Sequence, residues 1–354
     1  MIRSRIAPRR RTLLATALAS PLAAVAASAE GTVAPLTRIA FGSCCHQDED
    51  QRIWETIHAW RPELMVMGGD NVYGDSRSAA LRELRAAYEK ADANPGFARM
   101  KRDVPMLAIW DDHDYGRNDA GAEFPWKQES KDLFCGFWRV AGHDPRRRRE
   151  GLYHAEIFGP PGRRTQIVLL DTRWFRSKLR RTDRFGAPGR ERYVPDDDAT
   201  KTMLGDAQWT WLEEQLRRPA ELRLIVSSIQ VLADGHGWER WGNLPRERAR
   251  LLGIVAATRA SGVVFMSGDR HLGAFYRHDA GAAYPLHEMT SSGLTKSYRS
   301  DEPGPNRLGD ILGEINFGTV GIDWSAGRIE LALRDHRGEA QRRLALGLAA
   351  LRAS

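Results

Sequence analysis

Residues 64–76 read LMVMGGDNVYGDS. An uninterrupted apolar run from Leu64 to Gly68 fits a short strand inside a sheet, because a strand covered on both faces has no reason to alternate polar and apolar residues. Beyond Gly69 the sequence places Asp70, Asn71 and Tyr73 within four residues. A carboxylate and a phenol immediately past a strand end lie where open α/β sheets collect ligands. Taken alone, Asp70 could make a turn and Tyr73 could be a core tyrosine with a bonded hydroxyl.

The same arrangement recurs along the chain. Apolar runs at 38–42, 106–110, 165–170, 222–227 and 263–267 alternate with helix-period segments at 52–60, 79–90, 206–217 and 246–259. This order predicts a largely buried sheet with helices on its faces. Residues 315–346 read instead as paired strands with Gly327 near a turn, so a mixed sheet is expected. Polar clusters follow the strand ends: Ser43-Cys44-Cys45-His46, Asp111-Asp112-His113-Asp114, Ser228-Ile229-Gln230 and Gly268-Asp269-Arg270-His271.

Carboxylates, imidazoles, a thiol and a phenol gathered at one rim suit a metal centre better than a nucleophilic triad. Three acids around His113, directly after an apolar strand, would repel one another without a cation or proton to relieve them. An aspartate such as Asp70 can bridge two cations. A phenolate from Tyr73 and a thiolate from Cys44 favour a highly charged iron, whereas oxygen ligands suit a calcium-like partner. Paired cations can activate water and neutralise a phosphoryl group, so phosphoester hydrolysis is the expected reaction. No Gly-x-Ser-x-Gly elbow and no Walker-type loop occurs in the sequence, which leaves serine hydrolases and nucleotide-binding ATPases without support.

The motifs Phe41-Gly42-Ser43-Cys44, Gly69-Asp70-Asn71-Val72-Tyr73, Trp110-Asp111-Asp112-His113-Asp114-Tyr115-Gly116 and Ser267-Gly268-Asp269-Arg270-His271 together resemble the alkaline phosphatase D family of the calcineurin-like metallophosphoesterases. The resemblance implies a four-layer α/β/β/α sandwich with mixed central sheets. It also implies Fe3+ with Ca2+ as cofactors, Zn2+ or Mn2+ being the other metals such sites take, and activity on phosphomonoesters or phosphodiesters outside the cytoplasm. Carried over by position, Cys44, Tyr73 and His271 would bind iron, Asp70 would bridge, and Asp112 and Asp269 would serve the second metal. His113 would protonate or steady phosphate oxygens, with Asp114 orienting its ring and Asp111 behind Asp112. The superfamily's lone middle histidine has no counterpart, and Gln230 is the candidate for its place. A metal-activated hydroxide would attack phosphorus. Cys45 could compete with Cys44 or pair with Cys135.

Substrate contacts are expected from Arg117 and Asn118, just past the histidine motif, and from Arg173, because arginine grips phosphate oxygens in pairs. Arg173 opens a basic segment, 173–193, that would concentrate anionic substrate if it overhangs the site. Residues 234–243, DGHGWERWGN, hold Trp238 and Trp241, which either stack on substrate or pin the loop to the core. One rival reading is a phosphodiesterase specialised for lipid or cell-wall polymers. Another is a periplasmic metal-binding protein that has lost turnover.

The 354-residue chain is 42% hydrophobic and 28% charged, an ordinary globular balance. Residues 1–29 read as a signal peptide: Arg3, Arg5, Arg9, Arg10 and Arg11 precede an alanine-rich run ending at Ala27-Ser28-Ala29. Arg10-Arg11-Thr12-Leu13-Leu14 has the twin-arginine pattern, the alternative being a general secretory signal with a crowded basic region, and it predicts export by the twin-arginine machinery to the periplasm or the exterior, with catalysis assigned to 30–354. Losing those five arginines lowers the net charge from +7 to +2, so the basic balance predicts no stable nucleic-acid partner. The leader is also too short, and too interrupted by Pro21, to be expected as a membrane span in the mature protein.

Overall fold

The computed structural model describes residues 34–279 and 283–353. The proposed leader, 1–29, lies outside them. Strands and helices alternate at first: β1 (Arg38–Gly42), α1 (Ile53–Ala59), β2 (Leu64–Gly68), α2 (Arg82–Asp92), α3 (Pro95–Asp103), β3 (Met106–Ile109), α4 (Asp112–Tyr115), α5 (Lys127–Phe137), β4 (His154–Phe158) and β5 (Thr165–Leu170). After these come α6 (Gly205–Arg217), β6 (Leu222–Ser227), α7 (Pro245–Ala257), β7 (Val263–Ser267), β8 (Gly273–His278), β9 (Leu286–Ser291), β10 (Arg307–Leu312), β11 (Asn316–Asp323), β12 (Arg328–Asp335) and β13 (Ala340–Gly347).

Two mixed sheets result, in the orders β13-β12-β11-β1-β2-β3 and β10-β8-β9-β7-β6-β5-β4. Strands β1, β2 and β3 run parallel in one, and β5, β6 and β7 run parallel in the other. Every residue of β2, β5, β6, β7 and β9 is buried, which requires a layer on each face of each sheet. The sheets face one another: a side chain at Gly42 of β1 would strike Leu294, and one at Gly318 of β11 would strike Met289 of β9. Helices close the outer faces, giving the expected α/β/β/α sandwich. Trp54 and Ile57 of α1, and Trp209 and Leu212 of α6, are buried in the core. The C-terminal meander β11-β12-β13 turns at Gly327, whose φ of +61° is the left-handed conformation that glycine adopts without penalty.

Facing parallel sheets bring two sets of carboxyl-terminal strand ends to one rim. The approach is close: a Cβ at Gly69 would lie 2.6 Å from that of Asp111 and 3.0 Å from that of Ser228 in the opposite sheet. A Cβ at Gly268 would lie 2.5 Å from the Ser43 hydroxyl. Glycine at these two positions lets the loops after β1, β2, β3, β6 and β7 share one site. Among the described residues no helix is long and apolar enough to cross a membrane.

Candidate metal centre

Four of the residues singled out in the sequence leave their strands through the same unusual backbone turn. Cys44, Asp70, Asp269 and His271 have φ of 59°, 47°, 70° and 54°. Left-handed conformations at residues with a Cβ cost about 1–3 kcal/mol each, and they persist where the surroundings demand a particular side-chain direction. Here the demand is convergence. Cys44, Asp70 and His271 offer ligand atoms within 4.8 Å of one another, and so do Asp70, Asp112 and His113; Asp111, Asp112 and Asp269; and Asp112, Asp119 and Glu239.

Asp70 joins the first two groups. Its Oδ2 lies 3.5 Å from Cys44 Sγ and 3.2 Å from the Tyr73 hydroxyl, while its Oδ1 accepts the His113 amide at 3.3 Å. The Tyr73 hydroxyl is also 3.3 Å from Nε2 of His271. His271 Nδ1 sits 2.9 Å from the Lys296 carbonyl, an acceptor only, so Nδ1 carries the proton and the Nε2 lone pair points into the cluster. Burial lowers this imidazole to about 4, so it is neutral and able to ligate at ordinary pH. Asp112 continues the chain of groups on the other side, accepting the His113 amide at 2.9 Å and the Asp119 amide at 2.6 Å.

Charge in this cluster is under-compensated. Burial first, then the Asp70 charge, pushes the Cys44 thiol and the Tyr73 phenol well above their ordinary values. Burial followed by a neighbouring aspartate does the same to Asp70 and Asp269. Asp111 rises only to about 6, because Arg173 offsets part of its burial. Its Oδ1 accepts from Ser228 at 2.5 Å and Arg173 at 2.6 Å, whereas Oδ2 is buried with no partner. A cation beside Asp111, Asp112 and Asp269 would satisfy that oxygen, and thiol, phenol, imidazole and carboxylates together form a donor set for cations rather than protons. The residues present therefore fit a multinuclear metal centre.

The PhoD-like phosphatase family model matches residues 39–308. The chain belongs to that family. Its fold is similar to that of a solved structure described as "Structure of PhoD", at 15% identity and a TM-score of 0.66, covering 90% of this chain and 69% of that one. It is also similar to "GAP50 the anchor in the inner membrane complex of Plasmodium", at 13% identity and 0.57, covering 88% and 89%. At such identities these two likenesses concern the fold alone. No curated protein matches the chain. As a member of the PhoD-like family, the protein is a metal-dependent phosphoric ester hydrolase.

Several expected residues of this PhoD-like phosphatase stand elsewhere or act differently. Gln230 is fully buried and tied to neighbouring side chains: its amide nitrogen donates to the Tyr276 and Thr290 hydroxyls at 3.0 Å, and its oxygen is 3.0 Å from Nε2 of His236, so it serves as a hydrogen-bonding residue of the core. Asp114 does not hold the His113 ring. One oxygen takes the Asp111 amide at 2.7 Å and the other the amides of Asn71, which closes the start of α4. Asp75 orients His113 instead, with Oδ2 2.7 Å from Nδ1. Arg173 is fully buried and cannot reach substrate; it pairs with Asp111 and, at 2.7 Å, with Glu239. Arg176 is buried too, 2.9 Å from the other Glu239 oxygen. Arg117 and Asn118 do line an open pocket. The three cysteines are free, and Cys45 turns away toward Gln51 Oε1 at 3.5 Å. Trp241 is buried as a loop anchor, whereas Trp238 lies half-buried between Arg192 and Arg270.

Sequence reading missed Asp75, Asp119, Glu239, Ser292 and Lys296. Asp75 was within reach, five residues after Asp70 in the same loop. Glu239 stands between Trp238 and Trp241 in the glycine-tryptophan segment, with no motif around it that marks a metal or counter-ion role. Ser292, whose hydroxyl is 3.1 Å from Cys44 Sγ and accepts the His271 amide at 2.8 Å, has a side chain with no metal signature. Lys296 holds its ammonium 5.2 Å from the Tyr73 ring centre, and no carboxylate of the described residues lies within 4 Å of it.

Proposed function

We propose that this protein is an exported phosphoester hydrolase, an alkaline phosphatase or phosphodiesterase, whose centre holds Fe3+ with Ca2+. The observation that carries the reading is the two-sided environment of Asp70. One oxygen faces thiol, phenol and imidazole, and the other takes the His113 amide on the side of Asp112. Cys44, Tyr73 and His271 would hold iron, Asp70 would bridge, and Asp111, Asp112 and Asp269 would hold calcium. Bound there, the cations supply Lewis acidity that activates water and neutralises phosphoryl charge. Zinc or manganese could fill the same positions.

His113 carries the proton chemistry. Burial alone would lower its imidazole, but Asp112, Asp70 and Asp75 outweigh that and push it up to about 11. With Nδ1 held by Asp75, Nε2 is the nitrogen left to donate to a leaving-group oxygen. Lys296, whose ammonium lies 5.2 Å from the Tyr73 ring centre, would bind phosphoryl oxygens, and Arg117 and Asn118 would contact the rest of the substrate. The leader residues 1–29 support twin-arginine export to the periplasm or beyond. Retention of His113 beside the complete set of carboxylates speaks against a binding protein that has lost turnover.

Metal-loaded protein is expected to hydrolyse 4-nitrophenyl phosphate and bis(4-nitrophenyl) phosphate and to lose both activities with a chelator. Asp75→Asn should lower kcat by about 10–100-fold with little change in KM, since it orients His113 without touching substrate. Activity that survives chelation would overturn the metal-dependent reading, and an Asp75→Asn variant with wild-type kcat would remove Asp75 from the account.

A further inference from the structure

Beside the metal centre, the wall formed by Asn118 and Asp119 has a pocket of about 270 Å3 on its outer side. Its lining includes the cations Arg117, Lys178 and Arg181 and the acids Asp119 and Glu123. The wall is one hydrogen bond thick. The Asn118 amide donates to Asp75 at 2.6 Å, the carboxylate that holds His113, and the Asp119 amide donates to Asp112 at 2.6 Å. The pocket is therefore linked through Asp75 to the Nδ1 edge of the His113 ring, whose Nε2 is the nitrogen left to protonate a leaving group.

The cations in it are under-used. Among the described residues no carboxylate lies within 4 Å of the Lys178 ammonium or the Arg181 guanidinium, and Arg117 has only Glu123, at 3.8 Å. The acid on the shared wall is already engaged: Asp119 accepts from Arg192 at 2.9 Å and from the Tyr193 hydroxyl at 2.8 Å. Nor is the basic segment a loose surface run. Arg181 pairs with Tyr193 across a hairpin, Thr182 donates to the Arg192 carbonyl at 2.9 Å, and Val194 donates to that of Arg180 at 3.0 Å. Tyr193 is tied in turn to Gly237 at 2.7 Å, and the Lys178 carbonyl accepts from Lys201 at 2.7 Å. Arg181 on an anchored hairpin, Lys178 just before it and Arg117 across the pocket set three cations against Asp119, already engaged, and Glu123, 3.8 Å from Arg117, which suits the pocket to an anion.

We propose that this pocket is a second phosphate subsite, and that the preferred substrate is a phosphoester whose leaving group carries a second phosphate-like anion. The inference rests on the phosphoester hydrolase reading and narrows it. Arg117 and Asn118 serve the leaving-group portion, and Lys178 and Arg181 grip its distal anion.

Two diesters of one aryl phosphate test this: ethyl 4-ethylphenyl phosphate, and the analogue whose phenol carries a 2-phosphonoethyl group, in which the C–P bond resists hydrolysis. For the metal-loaded full chain, kcat/KM is expected to be at least about tenfold higher on the phosphonate, chiefly through KM. The exposed double variant K178Q/R181Q should bring that ratio near one and leave the ethylphenyl ester within about twofold of wild type. Arg190→Gln, on the same hairpin but paired with Asp183 at 2.8 Å, should leave the ratio unchanged. A wild-type ratio of one, a ratio that survives K178Q/R181Q, or an equal loss in Arg190→Gln would each overturn the proposal. If neither ester is turned over, the hydrolase reading fails separately. Calorimetric titration of the same proteins with inorganic phosphate then decides: a binding event lost in K178Q/R181Q supports the subsite, and an unaltered titration refutes it.

Discussion

Asp70→Asn is expected to lower kcat/KM by at least about 10³-fold while the fold is retained. The substitution is nearly isosteric, so the left-handed backbone at 70 and the packing around it need not change. What it removes is one negative charge and one of two anionic oxygens. Because Oδ2 stands among Cys44, Tyr73 and His271 while Oδ1 faces the Asp112 and His113 side, the loss weakens both halves of the centre at once. Metal analysis after dialysis should show sub-stoichiometric occupancy of both metals, with circular dichroism like wild type. A variant that keeps full activity and full metal would show that Asp70 bridges nothing.

The second large effect is on stability. Arg173→Ala should cost about 3–5 kcal/mol, because it leaves two buried carboxylates without their shared cation. Arg173 is fully buried, with its guanidinium against Asp111 on one side and Glu239 on the other. Arg176 still answers Glu239, but Asp111 retains only the Ser228 hydroxyl. Urea denaturation of wild type and Arg173→Ala compares the two directly, with the exposed Arg181→Ala expected to change stability by less than about 0.5 kcal/mol. A loss below about 1 kcal/mol in Arg173→Ala would mean that Arg173 is not the counter-charge for the acidic cluster.

The central strands were legible because their physics is local. Leu64–Gly68 and Val263–Ser267 are short apolar runs with no alternation, and both became strands buried on two faces. The helical segments were legible to within a few residues, α6 and α7 among them. Helices α3, α4 and α5 were not; at α3, Asn94-Pro95-Gly96 has the composition of a turn, whereas here Asn94 caps the helix by accepting the Phe97 amide at 3.0 Å. Residues that touch the site directly from a strand end, such as Cys44, Asp70, Tyr73 and His271, could be placed from their order in the chain. Residues that work through a partner could not. Arg173 and an exposed arginine look alike in sequence, and only the burial of Asp111 and Glu239 around it makes it a counter-charge. Gln230 shows the converse: it follows a strand, as a ligand would, but the hydroxyls of Tyr276 and Thr290 take both of its N–H donors and the His236 ring engages its oxygen.

In the proposed centre a phenol, a thiol and an imidazole from three loops hold one iron beside a carboxylate-bound partner. The most direct measurement is the visible absorption spectrum and metal content of the protein purified folded from cells supplied with iron and calcium, beside that of Tyr73→Phe. A phenolate-to-iron charge-transfer band with about one iron per chain, lost or strongly shifted in Tyr73→Phe, is the result predicted. Colourless, iron-free protein, or a coloured protein whose band is unaltered by Tyr73→Phe, would contradict it.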